Sequence, residues 1–216
     1  MPLYKTITVD KGTNVLIWKI EETYESLCKG IELTQHCQNR VDNMKSEIHR
    51  RGFMSVRHLL GVMGYTDHDL FYDEFGKPHL KDGKHISITH SFEFAGIIIS
   101  DKEIGIDIEK QREKIQIIAH KFVNKAESNY LEENDLDKIR ALTILWGAKE
   151  SLYKLYATPG LSFEEHIYIS AFKLDYPFVF GTINYQDKIS HYGLAFIEFE
   201  GYTCVYAMPS LNDDFT

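Results

Sequence analysis

The sequence predicts an α+β protein made of two similar halves, each an antiparallel sheet packed on a long helix. Short runs of apolar residues alternate with polar ones at a period of two along much of the 216-residue chain, as half-buried strands do. Two stretches, Val41–Met63 and Lys138–Tyr156, instead repeat apolar residues every three or four positions, the helical spacing. Strand runs and one such helix occur on either side of Ser100–Ile104, which divides the chain into residues 1–102 and residues 103–216. No strict repeat accompanies this division, so one continuous α+β domain is the alternative.

Each element has a local reason. Ile7 and Val9, then Val15, Ile17 and Ile20, flank the turn-rich Asp10-Lys11-Gly12-Thr13-Asn14 and read as a hairpin. Val41, Met44, Ile48, Val56, Leu59, Leu60 and Met63 form the first helix, closed by Gly61 and Gly64. After the turn Gly76-Lys77-Pro78 come a strand at His85–Ser91 and the apolar run Phe94–Ile99. Ser100–Glu103 then turns this run back onto Ile104–Glu109, a pairing that would set the acidic end of the last strand at the far end of a hairpin. Ile115–Phe122 and Glu127–Asn134 read as short helices. Lys138–Tyr156 is the second long one, ended by Pro159-Gly160. Ile167–Ile169, Val179–Tyr185, Tyr192–Phe199 and Tyr202–Met208 complete a strand-rich end, and the tail Asn212–Thr216 reads as loose.

Composition narrows the function. A hydrophobic content of 44% supports a globular core. No apolar run approaches the roughly 18 residues of a membrane span, and the start lacks a signal-peptide core, so a cytoplasmic, soluble protein is expected. The three cysteines, Cys28, Cys37 and Cys204, lack metal-ligand spacing and read as reduced thiols. A net charge of -8 argues against nucleic-acid binding and against a nuclease. The segment Arg40–His58 runs the other way, and its basic residues suit either a solvated helix face or a phosphorylated small molecule.

Chemistry concentrates in two motifs. In Gly105-Ile106-Asp107-Ile108-Glu109 the strand period puts both carboxylates on one face. In Trp146-Gly147-Ala148-Lys149-Glu150-Ser151-Leu152-Tyr153-Lys154 the helix period puts Trp146, Glu150 and Lys154 on one stripe. Like charges held close repel unless a cation sits between them, and hard oxygen ligands of this kind suit magnesium. Taken singly, each feature also has an ordinary reading: Glu150 with Lys154 as a helix ion pair, Asp107 with Glu109 as the polar side of an edge strand, Trp146 as core.

These two motifs in order, with Gly76-Lys77-Pro78 and Ser87-Ile88-Thr89-His90-Ser91 before them, resemble the signature of the 4′-phosphopantetheinyl transferases, in particular the longer Sfp-type members. The resemblance implies two α+β halves related by pseudo-twofold symmetry. It also implies transfer of the phosphopantetheine arm of coenzyme A to a serine of an apo acyl, peptidyl or aryl carrier protein, with release of 3′,5′-ADP. Asp107, Glu109 and Glu150 would then ligate Mg2+. Lys149, Lys154, Lys77, Thr89 and His90 would hold coenzyme A, with Arg50, Arg51 and Arg57 on its 3′-phosphate and adenine side. Glu150 or Glu127 would accept the serine proton, with Lys154 beside the reacting phosphate. Phe122 and Val123 would face the carrier. The chain departs from the family pattern at Gly52, where an acidic residue is common, at Gly147, where Ser, Thr or Cys is usual, and at Thr89, where Ser is usual. A chain holding both halves could act as a monomer. The alternative is a coenzyme A-binding protein without catalysis.

Overall fold

The computed structural model describes residues 3–133 and 137–210, apart from the side chains of residues 132 and 133. The chain forms two compact units, residues 1–101 and 102–216, and the architecture is α+β with two antiparallel sheets.

In the N-terminal unit, β1 (Leu3–Thr8) and β2 (Asn14–Lys19) form the expected hairpin. Three helices follow: α1 (Tyr24–Cys28), α2 (Gln35–Asp42) and α3 (Glu47–Val62). The single helix expected over Val41–Met63 is therefore broken, with Asn43 capping α2 and Ser46 opening α3. Asn and Ser compete for backbone hydrogen bonds and favour such boundaries. Strands β3 (Leu70–Tyr72), β4 (Pro78–Leu80), β5 (His85–Ser91) and β6 (Phe94–Ser100) complete a six-stranded sheet ordered β1-β2-β6-β5-β4-β3. Phe53, Met54, Val56, Leu59 and Leu60 of α3 join Leu16, Trp18, Ala95, Ile97 and Ile99 of the sheet in one buried cluster.

The C-terminal unit opens with β7 (Gly105–Lys110), followed by α4 (Lys114–Ile118), α5 (Lys125–Glu133) and α6 (Lys138–Tyr156). Asp137 caps α6 by accepting from the Arg140 N–H, and Ala157 ends the helix in the left-handed conformation at φ 48°. Strands β8 (Ile167–Ile169), β9 (Phe178–Tyr185), β10 (Lys188–Phe199) and β11 (Tyr202–Pro209) join β7 in a sheet ordered β7-β11-β10-β9-β8. Asn134 and the tail 212–216 lie outside the described residues.

One expectation is overturned. β6 does not pair with β7: β6 lies between β2 and β5, whereas β7 pairs antiparallel with β11. The reason lies in β6, whose residues are buried along its whole length. A strand so buried is a central one, hydrogen-bonded on both edges, and leaves no edge for β7.

Candidate functional site

The C-terminal unit brings the two acidic motifs together by close backbone packing. A Cβ on Gly105 of β7 would collide with the Ser151 carbonyl of α6, and one on Gly147 would come within 2.8 Å of Val205 Cγ2 on β11. Two glycines therefore let α6 ride directly on the sheet. Ser151 Oγ fixes the register by donating to the Val205 carbonyl at 3.0 Å.

Against that contact Lys154 reaches across to β7. Its Nζ donates to Asp107 Oδ1 at 2.7 Å and to the Ile106 carbonyl at 3.0 Å. Asp107 is buried, and Glu109 is half-buried on the same strand. Glu150, one helical turn before Lys154, has its carboxyl pushed up to about 7, first by burial, then by the negative charges of Asp107 and Glu109, with Lys154 opposing. The carboxylates thus feel one another. Among the described residues, no group of three or more His, Cys, Asp and Glu side chains is already gathered as a cation cage. The donor set still fits a hard cation chemically, since it is all carboxylate oxygen and its like charges oppose one another.

Glu127 and Lys149 are placed differently from the expectation. Both are fully buried in this unit, and Lys149 Nζ lies 2.7 Å from Glu127 Oε2. Nζ also donates to the carbonyls of Phe122, Phe163 and Ile167 at 2.6, 2.8 and 2.9 Å. Glu127 Oε1 accepts from the Ile169 N–H and Oε2 from the Asn124 N–H, while Asn124 Oδ1 accepts from the Glu127 N–H. Burial pushes the Glu127 carboxyl up and the Lys149 amine down, and each partner's charge opposes the shift of the other. A base and a phosphate contact need access, and neither group has it. Asn124 and Glu127 form a reciprocal N-cap, and Asn-x-x-Glu is the sequence signal that marks it.

Phe122 is fully buried, 5.0 Å between ring centroids from Trp146, which makes it core, the other reading open to this pair, whereas Val123 is half-buried. Trp146 itself is half-buried, with Phe163 on its other side at 5.3 Å.

In the N-terminal unit the basic segment is not one face. Arg57 is buried, its Nε donating to Asp67 Oδ1 at 2.8 Å and its other nitrogens to the Phe53 carbonyl and Cys37 Sγ. Its guanidinium is thus enclosed and committed to protein partners, a placement unlike the phosphate contact expected of it. Asp67 also accepts from the Thr34 N–H and hydroxyl. Burial raises its carboxyl, but the Thr34 and Arg57 contacts outweigh that, and it is held below the usual range. Arg51 Nη2 donates to the Ile20 carbonyl at 2.9 Å, and Arg50 lies over the Tyr24 ring at 5.1 Å, both half-buried. Lys77 is half-buried in a turn where its N–H donates to Asp73 Oδ1. Thr89 is buried, and His90 is exposed at the end of β5, its ring so near Gly52 that a Cβ there would sit 3.0 Å from His90 Cγ. That contact explains glycine at position 52, where a longer side chain would displace the ring.

Residues 103–197 match the family model described as the 4'-phosphopantetheinyl transferase superfamily. A protein named 4'-phosphopantetheinyl transferase gsp, from Aneurinibacillus migulanus, is 29% identical over 152 residues, which cover 68% of this chain and 62% of that protein. The chain thus spans somewhat less than two thirds of that relative's length.

Proposed function

We propose, from the match of residues 103–197 to the 4'-phosphopantetheinyl transferase superfamily and the likeness to the Aneurinibacillus migulanus protein, that this chain is a member of that superfamily and moves the phosphopantetheine arm of coenzyme A onto a serine of an apo carrier protein. The observation that carries this reading is the packing of α6 on β7, which sets Lys154 Nζ 2.7 Å from Asp107 with Glu150 one turn away on the same helix.

In the reaction the serine Oγ attacks the β-phosphorus of coenzyme A and forms a new P–O ester bond. The bond from that phosphorus to the bridging oxygen breaks, and 3′,5′-ADP leaves with the electron pair. Lys154 is the residue we assign to offset charge growing on the phosphoryl oxygens. Glu150 is the residue we assign to take the serine proton, because it stands on the stripe of α6 that carries Lys154, whereas Glu127 is enclosed. Asp107, Glu109 and Glu150 are the residues that would hold Mg2+, which when bound supplies Lewis-acid stabilisation to the diphosphate. In the N-terminal half, Arg50, Arg51, Lys77, Thr89 and His90 remain the candidates for contacts to coenzyme A. The free thiols of Cys28, Cys37 and Cys204 agree with action in the cytoplasm. No helix of the described residues is long and apolar enough to cross a membrane.

The test is direct. Incubation with coenzyme A, Mg2+ and apo carrier proteins should add one phosphopantetheine to a carrier serine, read by intact-mass spectrometry. Asp107→Ala and Glu150→Ala should each slow transfer by at least about a hundredfold while the circular-dichroism spectrum is kept. Near-normal rates in either variant would remove the metal assignment. Coenzyme A binding without transfer to any carrier would make the protein a binding module instead.

A further inference from the structure

The Glu127–Lys149 pair sits inside the unit, yet Lys149 immediately precedes Glu150 on α6. Stability alone does not explain such a pair, since two well-packed apolar side chains usually serve as well as a buried ion pair. What an apolar pair cannot do is hold carbonyls. One ammonium here holds Phe122, Phe163 and Ile167, which lie at the end of the 119–121 turn, in the loop after α6, and at the start of β8. Glu127 adds α5 through its own cap and the second residue beyond Ile167 through the Ile169 N–H.

These segments carry Phe122 and Phe163, which form an aromatic wall on Trp146 and Tyr153 of α6. The Phe122 and Phe163 rings flank Trp146 at 5.0 and 5.3 Å, and Phe163 also meets Tyr153 at 5.4 Å. Trp146 and Tyr153 share a helical stripe with Glu150 and Lys154, being spaced three or four residues apart. Lys149 points from the same turn as Glu150 but about 100° around the helix. Anchoring residue 149 to three carbonyls therefore fixes the rotation of the turn that presents residue 150, and a ligand constellation tolerates only about 0.5 Å of error.

We propose that Lys149 and Glu127 are positioning residues, an internal clamp that holds Glu150 and the Phe122–Trp146–Phe163 wall in the geometry needed for transfer. The inference rests on the transferase reading. It differs from that reading's sequence-based assignment, in which Lys149 touches coenzyme A and Glu127 is a base.

The paired substitution Glu127→Gln with Lys149→Met removes the clamp and leaves no buried charge. In this variant kcat should fall by at least about thirtyfold, while the Kd for coenzyme A measured by calorimetry stays within about twofold. Segments 119–124 and 161–168 should lose hydrogen-exchange protection. Glu127→Gln alone keeps the three carbonyl bonds of Lys149 and should lose no more than about tenfold in kcat. A coenzyme A Kd weakened more than about tenfold with kcat preserved would overturn the clamp and return Lys149 to the phosphate. Unchanged kcat in the paired variant would also overturn it, leaving the pair a fold element only. If the paired variant does not fold, Glu127→Gln still decides: loss of transfer with both segments fully protected marks Glu127 as the base and sinks the proposal. A wild-type protein that transfers nothing to any carrier brings down the transferase reading, and is told apart because the unmodified chain is then itself inert.

Discussion

Four charged residues that the sequence reading placed at a ligand, Arg57, Lys149, Glu127 and Asp107, are all buried, and only Asp107 stands with the other acidic-site residues. Arg57 illustrates the consequence. Removing one member of a buried ion pair leaves the other charge without its partner, so Arg57→Ala should destabilise the protein by about 3–5 kcal/mol in denaturant titration. Coenzyme A affinity per folded molecule should be unchanged; a selective loss of affinity with full stability would restore Arg57 to the phosphate. The same pair sets an acid limit. Because the folded Asp67 carboxyl is held below its ordinary value of 3.8, its contribution is complete above that value and is lost as pH falls through the lower folded pKa. Thermal melts carried from neutral pH to below 3.8 should show the onset of this loss, and Asp67→Asn should flatten it. Burial of this kind was not legible in the sequence, because periodicity assigns charged side chains to the solvent side by default. What periodicity does carry is local: Asp107 and Glu109 lie on β7, and Glu150 and Lys154 lie on α6, the strand and helix that their spacing predicts.

The elements divide in the same way. Both long periodic helices exist, but the first is cut at Asn43–Ser46, where polar residues interrupt the apolar stripe, and α1 is only five residues long with little periodicity to read. The short segment Ser100–Glu103 looked like a hairpin turn, but pairing is decided by which edges are available, and short-range composition does not carry that information. The contact between α6 and β7 was equally hidden, since Gly105 and Gly147 reveal their role only when the facing backbone is known. Gly105→Ala must push α6 away from β7, because its Cβ meets the backbone of Ser151 and not a flexible side-chain end. We expect about 1–3 kcal/mol of destabilisation and a loss of transfer beyond that explained by unfolding, as Lys154 and Glu150 move off Asp107. Gly147→Ala meets side-chain atoms alone, the Val205 methyl at 2.8 Å and Asp107 Oδ2 at 3.9 Å, and should be milder in both measurements. Equal effects of the two substitutions would show that close approach at Gly105 does not set the site.

At the scale of the whole molecule, the proposed transfer to a carrier protein has a consequence in charge. The protein carries a net charge of -8, and carrier proteins are generally acidic, so the two summed fields repel at long range. Salt shortens the reach of that repulsion to about 10 Å at 0.1 M, while short-range apolar contact is left intact. Raising ionic strength from about 20 mM to about 200 mM should therefore lower the apparent KM for an acidic carrier or leave it flat. The sign separates two modes of docking: a KM that climbs steeply with salt would mean that a local basic surface steers the carrier, whereas a fall means that the encounter is opposed by net charge and held by apolar contact. Coenzyme A needs a separate control, because its phosphates meet cations at close range and its KM should rise over the same salt interval. Opposite salt slopes for the two proposed substrates, read in a single two-substrate kinetic grid, are the expected result; parallel upward slopes would show that electrostatic attraction recruits both.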